Sequence, residues 1–278
     1  MKKKYNNLDI RMKENYEFVS KTRLLRRTPV AIRIDGKAFH TFTRGFKKPF
    51  DEVLIKSMQD TMKYLCENIQ GCVFGYTQSD EITLILVDYQ KLTSQAWFDY
   101  EVQKVCSIAA SMATMAFNKA FRKNYDAWGK VIFPDSWYEG GTNNPEEIAR
   151  YEAIAPLLRA YTKAIDSAMF DARCFNIPKE EVTNLIFWRQ QDATRNSIEM
   201  VGQANFSQNE LDCKGLNKIQ DMLHEQRGIN WNDFPIEQKR GSACLKGENG
   251  WYIDHEMPIL RGENREYVEK LINIQEEK

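Results

Sequence analysis

The 278-residue chain has only three histidines, and its six cysteines (Cys66, Cys72, Cys106, Cys174, Cys213 and Cys244) include no Cys-x-x-Cys pair. That poverty of ligand spacing argues against a structural zinc site and against a disulfide scaffold, and points to reduced thiols in a cytoplasmic protein. Long apolar runs are also missing: none approaches the ~18 residues needed to span a bilayer. The start, Met1-Lys2-Lys3-Lys4, continues through polar residues and not an apolar signal core, so secretion and membrane insertion are not expected. Nor is there net charge, because 39 Lys+Arg balance 39 Asp+Glu. Attraction to nucleic acid must therefore be local. No low-complexity tract and no internal repeat is visible. What is present is a 42% hydrophobic content, enough for the core of one large domain or two small ones.

The neutral total hides a dipole. Residues 1–48 carry 14 Lys/Arg against Asp9, Glu14, Glu17 and Asp35, a net of +10, and the rest of the chain carries −10. Such a basic region suits phosphate binding, although it suits a solvated face as well. Arg26 and Arg27 lie within it.

Pattern and turn chemistry predict the elements. Pro29-Val30-Ala31-Ile32-Arg33-Ile34 reads as a strand ending at the turn-prone pair Asp35-Gly36. From Asp51, Leu54, Met58, Met62, Leu65 and Ile69 recur at helical spacing up to a stop at Gly71. Cys72–Thr77 and Ile82–Val87 form a hairpin with Asp80 and Glu81 at its tip, and a second long helix is expected from Ser94 to about Lys119. Phe170–Ile177 is a further strand, stopped by Pro178. The stretch Trp128–Ile165 reads as an insertion, irregular through Gly140-Gly141-Thr142-Asn143-Asn144-Pro145 and then helical near Glu146–Thr162; the last hundred residues are polar and helix-like. The order β-α-β-β-α-β is that of a split-βαβ sheet.

In a βαββ unit the first and third strands usually pair, which would make Asp35 and Asp80 neighbours. Two such carboxylates are an oxygen seat for Mg²⁺, which takes one or two protein acids together with waters and substrate phosphates. Glu81, next in sequence, would point to the other face of a regular strand. Turn chemistry alone also accounts for Asp-Gly and Ser-Asp-Glu, so spacing does not decide between the two.

The wording around these acids is more specific. Arg33-Ile34-Asp35-Gly36-Lys37-Ala38-Phe39-His40-Thr41-Phe42, Phe46-Lys47-Lys48-Pro49 and Gly75-Tyr76-Thr77-Gln78-Ser79-Asp80-Glu81 are followed in order by Phe170-Asp171-Ala172-Arg173, Trp188-Arg189-Gln190-Gln191-Asp192, Arg227–Asn232 and Lys239-Arg240-Gly241. Together they resemble the tRNA-His guanylyltransferase superfamily, over roughly residues 5–245. The resemblance implies an α+β fold: a polymerase-like palm of split-βαβ type, an antiparallel sheet with helices on one face, and a helical C-terminal extension. The palm would occupy residues 1–178, with an insertion at about 128–165, and residues 179–278 would pack on it and contribute RNA contacts. It further implies two Mg²⁺ ions, ATP and GTP or other NTPs as substrates, tRNA as partner, and a tetramer.

Carried onto this sequence, the resemblance makes Asp35 and Asp80 metal ligands with the Gly36 carbonyl, and Glu81 the second acid of the tip. Lys37, Ala38, Phe39, His40, Lys48, Asp51, Ser79 and Lys104 are the implied nucleotide contacts. Arg26, Arg27, Arg189, Asn196, Lys239 and Arg240 are candidates for RNA, with Arg189 also readable as the partner of a core acid.

Departures indicate the branch. After Trp188-Arg189-Gln190 the eukaryotic enzymes carry a His-Ile-Asn-Asn segment, whereas this chain reads Asp192-Ala193-Thr194-Arg195-Asn196-Ser197. Phe50 replaces an asparagine and Glu101 an arginine. The pattern is nearer to the bacterial, archaeal and phage guanylyltransferase-like proteins, which implies templated 3′-to-5′ repair of RNA 5′ ends through 5′ adenylylation, with untemplated G addition to tRNA-His as the alternative. A nucleotide cyclase on the same palm, and an RNA chaperone without chemistry, are the other readings.

Overall fold

A computed structural model describes residues 7–132 and 144–273. The strands are β1 (Val30–Gly36), β2 (Cys72–Gln78), β3 (Glu81–Leu86), β4 (Phe170–Asn176), β5 (Ser242–Gly247) and β6 (Gly250–Asp254). The helices are α1 (Asn7–Met12), α2 (Phe39–Phe42), α3 (Glu52–Asn68), α4 (Val102–Ile132), α5 (Pro145–Ala164), α6 (Lys179–Asn205), α7 (Gln208–Leu211), α8 (Leu216–Arg227), α9 (Ile236–Arg240) and α10 (Glu266–Ile272).

One antiparallel sheet of six strands runs in the order β4-β1-β3-β2-β5-β6. Its first four strands are the expected split-βαβ arrangement, with β1 paired to β3 from Val30↔Leu86 to Asp35↔Glu81. Alternation along β1 divides the core. Val30, Ile32 and Ile34 are fully buried on the face covered by α3 and α4, packing with Met58, Met62 and Phe117. Ala31 faces the other way and shares a second core with Phe74 and Ile85, covered by Val182 and Ile186 of α6 and Val268 and Ile272 of α10. The palm helices thus take one face and the C-terminal helices the other. A third cluster, including Ile198, Val201, Ile219 and Leu223, joins the far half of α6 to α8.

Two expectations are corrected. The second long helix begins at Val102, not Ser94, and it continues through Trp128 to Ile132. Ahead of it Trp97–Tyr100 is a 3₁₀ turn in which Phe98, Asp99 and Tyr100 hold positive φ. The backbone there is committed elsewhere: Leu24 N–H donates to Tyr100 O at 3.0 Å and Val102 N–H to Thr22 O at 2.9 Å. Periodicity could not reveal this, because Trp97, Tyr100 and Val105 are buried whichever way the turn runs. In addition, the C-terminal region contains the hairpin β5–β6, which the helix-like reading missed. Its signal was Asn249-Gly250 ahead of Trp251-Tyr252-Ile253, a turn pair beside a strand-forming run. The helical part of the insertion is α5; Gly140 to Asn143 lie outside the described residues, as do Lys2, Lys3 and Lys4.

Candidate active site

At the C-terminal end of β1, Asp35 stands opposite Glu81 of β3 on one side and Asp171 of β4 on the other, so three carboxylates form one row across three strands. Asp80 occupies the two-residue turn joining β2 to β3. The Gly36 N–H donates to the Asp80 carbonyl at 3.1 Å and the Lys37 N–H to the Met169 carbonyl at 2.8 Å, which ties the three strand ends together.

The local backbone is strained on both sides of this row. Ser79, first residue of the turn, has φ 51°, and Ala38, which precedes α2, has φ 54°. Non-glycine residues seldom hold this conformation, and such strain concentrates at functional sites. Gly36 is fixed by close approach: a Cβ there would lie 2.3 Å from the Phe39 ring. Phe39 itself is a core anchor, stacked on Phe42 at 4.7 Å between ring centroids. Of the implied nucleotide contacts after the glycine, Lys37, Ala38 and His40 are exposed and the Phe39 side chain is buried.

Both aspartates have raised pKa values. Burial is the main cause for Asp35, followed by repulsion from Glu81 and Asp171, with Arg173 and Arg33 opposing. Burial again leads for Asp80, against hydrogen bonds that include Ser79 Oγ to Asp80 Oδ1 at 3.0 Å, and with repulsion from Asp35 and Glu81. A site that holds excess negative charge against burial and repulsion is one that a dication would relieve. Among the described residues no group of three or more His, Cys, Asp or Glu side chains is arranged to enclose a metal. The acid pair is an open seat, and that fits Mg²⁺, which completes its shell with waters and phosphates.

Glu81 differs from its neighbours. Arg33 Nε donates to its Oε1 at 2.8 Å and Arg189 Nη2 to its Oε2 at 2.6 Å, all three side chains being largely buried. Arg189 continues to Asp192 at 2.9 Å. Expected as an acid of the hairpin tip, Glu81 is instead the centre of an ion-pair chain under α6. In this chain Arg189, a candidate for RNA, also makes the pair with a core acid that its sequence context allowed. Lys239 is also committed: it is buried, donates to the Asn232 carbonyl and lies over the Trp231 ring. Arg240 is half-buried, and its carbonyl accepts from Tyr76 Oη at 2.7 Å.

Asp51 caps α3. Its carboxylate accepts from Leu54 N at 2.9 Å, Lys47 N at 3.0 Å and Tyr161 Oη at 2.7 Å. It nevertheless lines a small cavity beside the hairpin tip, together with Phe50, Leu54, Ser79, Asn196 and Met200. Lys48 is exposed just before the cap. Asp35, Gly36, Asp80, Ser79, Asp51 and Asn196 therefore gather at one end of the sheet. Arg26, Arg27 and Lys104 do not. Arg26 pairs with Asp88 and Asp99, Arg27 N–H donates to Asp88, and Lys104 lines a hollow with Arg26. That hollow is at the Val30 end of β1, which lies roughly 16 Å from Asp35 at ~3.3 Å per residue. The reading by sequence gave no role to Arg33, Asp171, Trp188 or Asp192. Alternation along β1 was the available signal, since it puts Arg33 on the face of Asp35.

Residues 10–178 match the tRNAHis guanylyltransferase family. The chain belongs to that family. It is accordingly a nucleotidyltransferase, of a family that acts in tRNA processing. A bacterial tRNA(His) guanylyltransferase-like protein, solved in complex with ATP, superposes with a TM-score of 0.79 at 40% identity, covering 96% of this chain and all of that one. A bacterial protein of the same description with GTP gives 0.70 at 37%, over the same shares. Among curated relatives, an uncharacterized protein of Acanthamoeba polyphaga mimivirus is 29% identical over 77% of this chain and 69% of its own length. The tRNA(His) guanylyltransferase of Candida glabrata is 25% identical over 85% and 92%. Among the described residues no helix is long and apolar enough to cross a membrane.

Proposed function

We propose that this nucleotidyltransferase extends the 5′ end of tRNA in the 3′-to-5′ direction, restoring missing nucleotides opposite a template strand. The observation that carries the reading is the Asp35–Asp80 pair, two half-buried, mutually repelling carboxylates at linked strand ends. Support for repair over dedicated G addition comes from α6, which has no histidine after Trp188-Arg189-Gln190, and from the 40% identity to a bacterial guanylyltransferase-like protein against 25% to a fungal guanylyltransferase.

Asp35 and Asp80, with the Gly36 carbonyl, are the residues that would hold Mg²⁺. Bound there it supplies a lowered hydroxyl pKa and neutralisation of the departing pyrophosphate. In activation, the 5′-monophosphate of the RNA attacks the α-phosphate of ATP and releases pyrophosphate. In transfer, the 3′-hydroxyl of the incoming NTP attacks the activated 5′ phosphate and releases AMP. Ser79, next to Asp80 in the turn, and Lys48, exposed ahead of the α3 cap, are the residues for the triphosphate, while Asn196, an RNA candidate by resemblance, lines the cavity beside Ser79. Catalysis of this kind is positioning and electrostatics.

The test is a 5′-labelled tRNA lacking its first nucleotide, incubated with Mg²⁺, ATP and each NTP in turn, beside intact tRNA-His with GTP. Addition of only the complementary nucleotide to the truncated RNA is expected. Reaction of tRNA-His with GTP alone, whatever the opposing base, would replace repair with G addition; products from NTPs without RNA would indicate a cyclase.

A further inference from the structure

Beside α6, Asp171 and Arg173 of the edge strand β4 are exposed, next to Asp35 and Arg33 of β1, and one aromatic side chain of α6 stands near them. Trp188 is 50% exposed. Its ring lies against the Arg33 guanidinium at 5.4 Å and the Arg189 guanidinium at 4.6 Å. Both guanidiniums are held by Glu81, so the indole is set by a buried ion-pair chain and not by an apolar core. Arg33 is two residues from Asp35 on the same face of β1, about 7 Å along the strand.

Helix geometry separates this surface from the nucleotide cavity. At about 100° per residue, Ala193, Asn196, Ser197 and Met200 share the side of α6 that lines the cavity beside Ser79, while Trp188, Asp192 and Arg195 share an adjacent one, joined to it by the Asn196–Asp192 hydrogen bond at 3.4 Å. The reacting acids therefore lie between two different faces of one helix. A reaction that joins a nucleoside triphosphate to an RNA end needs two such faces. The second carries exposed cations: Arg173, opposite Arg33 in register, and Arg195, each 56% exposed. Their partners, Asp171 and Asp192, make surface or edge pairs of the kind that contribute little and that phosphates readily replace.

Resting on the proposed 5′-end extension, we propose that Trp188 is the stacking platform for the 5′-terminal base of the acceptor RNA, with Arg173 and Arg195 on its phosphates. An exposed aromatic among guanidiniums suits an RNA end, paired or single-stranded, since the terminal base offers an unstacked π-face.

The full-length protein is titrated with a 5′-monophosphorylated single-stranded RNA trinucleotide and, separately, with ATP or GTP, following tryptophan fluorescence. RNA should quench, and Trp188→Phe should abolish most of the quench while keeping most of the affinity, because a phenyl ring still stacks. Trp188→Ala should weaken RNA binding about tenfold to a hundredfold with KM for the NTP unchanged. Wild-type RNA affinity in Trp188→Ala, or a Trp188-dependent quench by free NTP and none by RNA, overturns the proposal. If Trp188→Ala does not fold, the quench lost in Trp188→Phe decides alone. The two readings fail separately: a Trp188-dependent RNA quench without nucleotide addition sinks the extension reaction and keeps the platform, and addition without the quench does the reverse.

Discussion

Arg189 of α6 donates to Glu81 of β3 at 2.6 Å, and the other oxygen of that carboxylate is held by Arg33 at 2.8 Å. One buried acid thus fixes the catalytic strand, the hairpin and the C-terminal helix against each other. Removing one partner of a buried pair leaves an uncompensated charge, so Glu81→Ala and Arg189→Ala should each destabilise by about 3–5 kcal/mol in urea unfolding. Arg189→Lys should recover little, because the bonds to Glu81 and Asp192 both come from Nη2, at the end of a side chain one atom longer than that of lysine. Single variants within about 1 kcal/mol of wild type would refute the anchoring role.

The metal-seat aspartates should behave in the opposite way. Asp35→Asn and Asp80→Asn remove charge from a site where burial and neighbouring acids already disfavour it. Without metal, both variants should melt no lower than wild type, and nucleotide addition should fall by ~10³-fold or more. Near-normal addition by Asp80→Asn would remove it from the site.

The same repulsion gives a pH dependence. A carboxyl whose folded pKa is raised above its unfolded value binds more protons in the fold, so stability increases as pH falls from neutral through the folded pKa towards the ordinary aspartate value near ~3.9. The Asp35 and Asp80 contribution therefore runs against stability at neutral pH. Added Mg²⁺ should raise Tm more at pH 7.5 than at a pH near the ordinary aspartate value of ~3.9, where carboxyls with a raised pKa are protonated in the fold, and the difference should vanish in Asp35→Asn/Asp80→Asn. An equal Mg²⁺ shift at both pH values would place the ion elsewhere.

Much of this site was readable because its logic is local. Asp35 follows a β-branched run and Asp80 sits in a turn, so pairing β1 with β3 was enough to bring them together. Glu81 and Arg189 were not readable in the same way. The contact joins residues 108 apart in sequence, and its sense depends on which face of β3 the side chain takes just after a turn. The start of α4 failed for a related reason, since the strand-like pairing of residues 22–24 with 100–102 overrode a helical pattern through backbone bonds that periodicity does not register.

Gly36 tests how closely the site is packed. Its missing side chain admits the Phe39 ring, which also contacts Phe117 and Phe170 at 5.6 and 5.2 Å. Gly36→Ala should destabilise by about 1–3 kcal/mol through overpacking and, by moving the strand end that binds the Asp80 carbonyl, reduce nucleotide addition more than stability. Adding Phe39→Leu should restore part of the stability. No recovery would mean that the backbone, not the ring, demands glycine.

Asp51 separates a structural role from a binding one. With three hydrogen bonds it is a complete cap for α3, and through Tyr161 it also ties α5 to that helix; burial first, and then that bond, hold the Tyr161 hydroxyl well above its usual pKa. Asp51→Ala should cost about 2 kcal/mol, near the top of the range for a lost cap, because a buried hydroxyl is left without its acceptor. Tyr161→Phe removes the hydroxyl alone and should cost less. If the two act as one unit, the double variant should be destabilised by less than the sum, with a coupling of roughly 1 kcal/mol. Kinetics then decide the nucleotide question: Asp51→Asn keeps one of the two accepting oxygens, so a rise in KM for the NTP well beyond that of Tyr161→Phe at a comparable Tm would mark direct contact with the nucleotide, while KM that follows Tm across the variants would leave Asp51 as the residue that holds the cavity in shape.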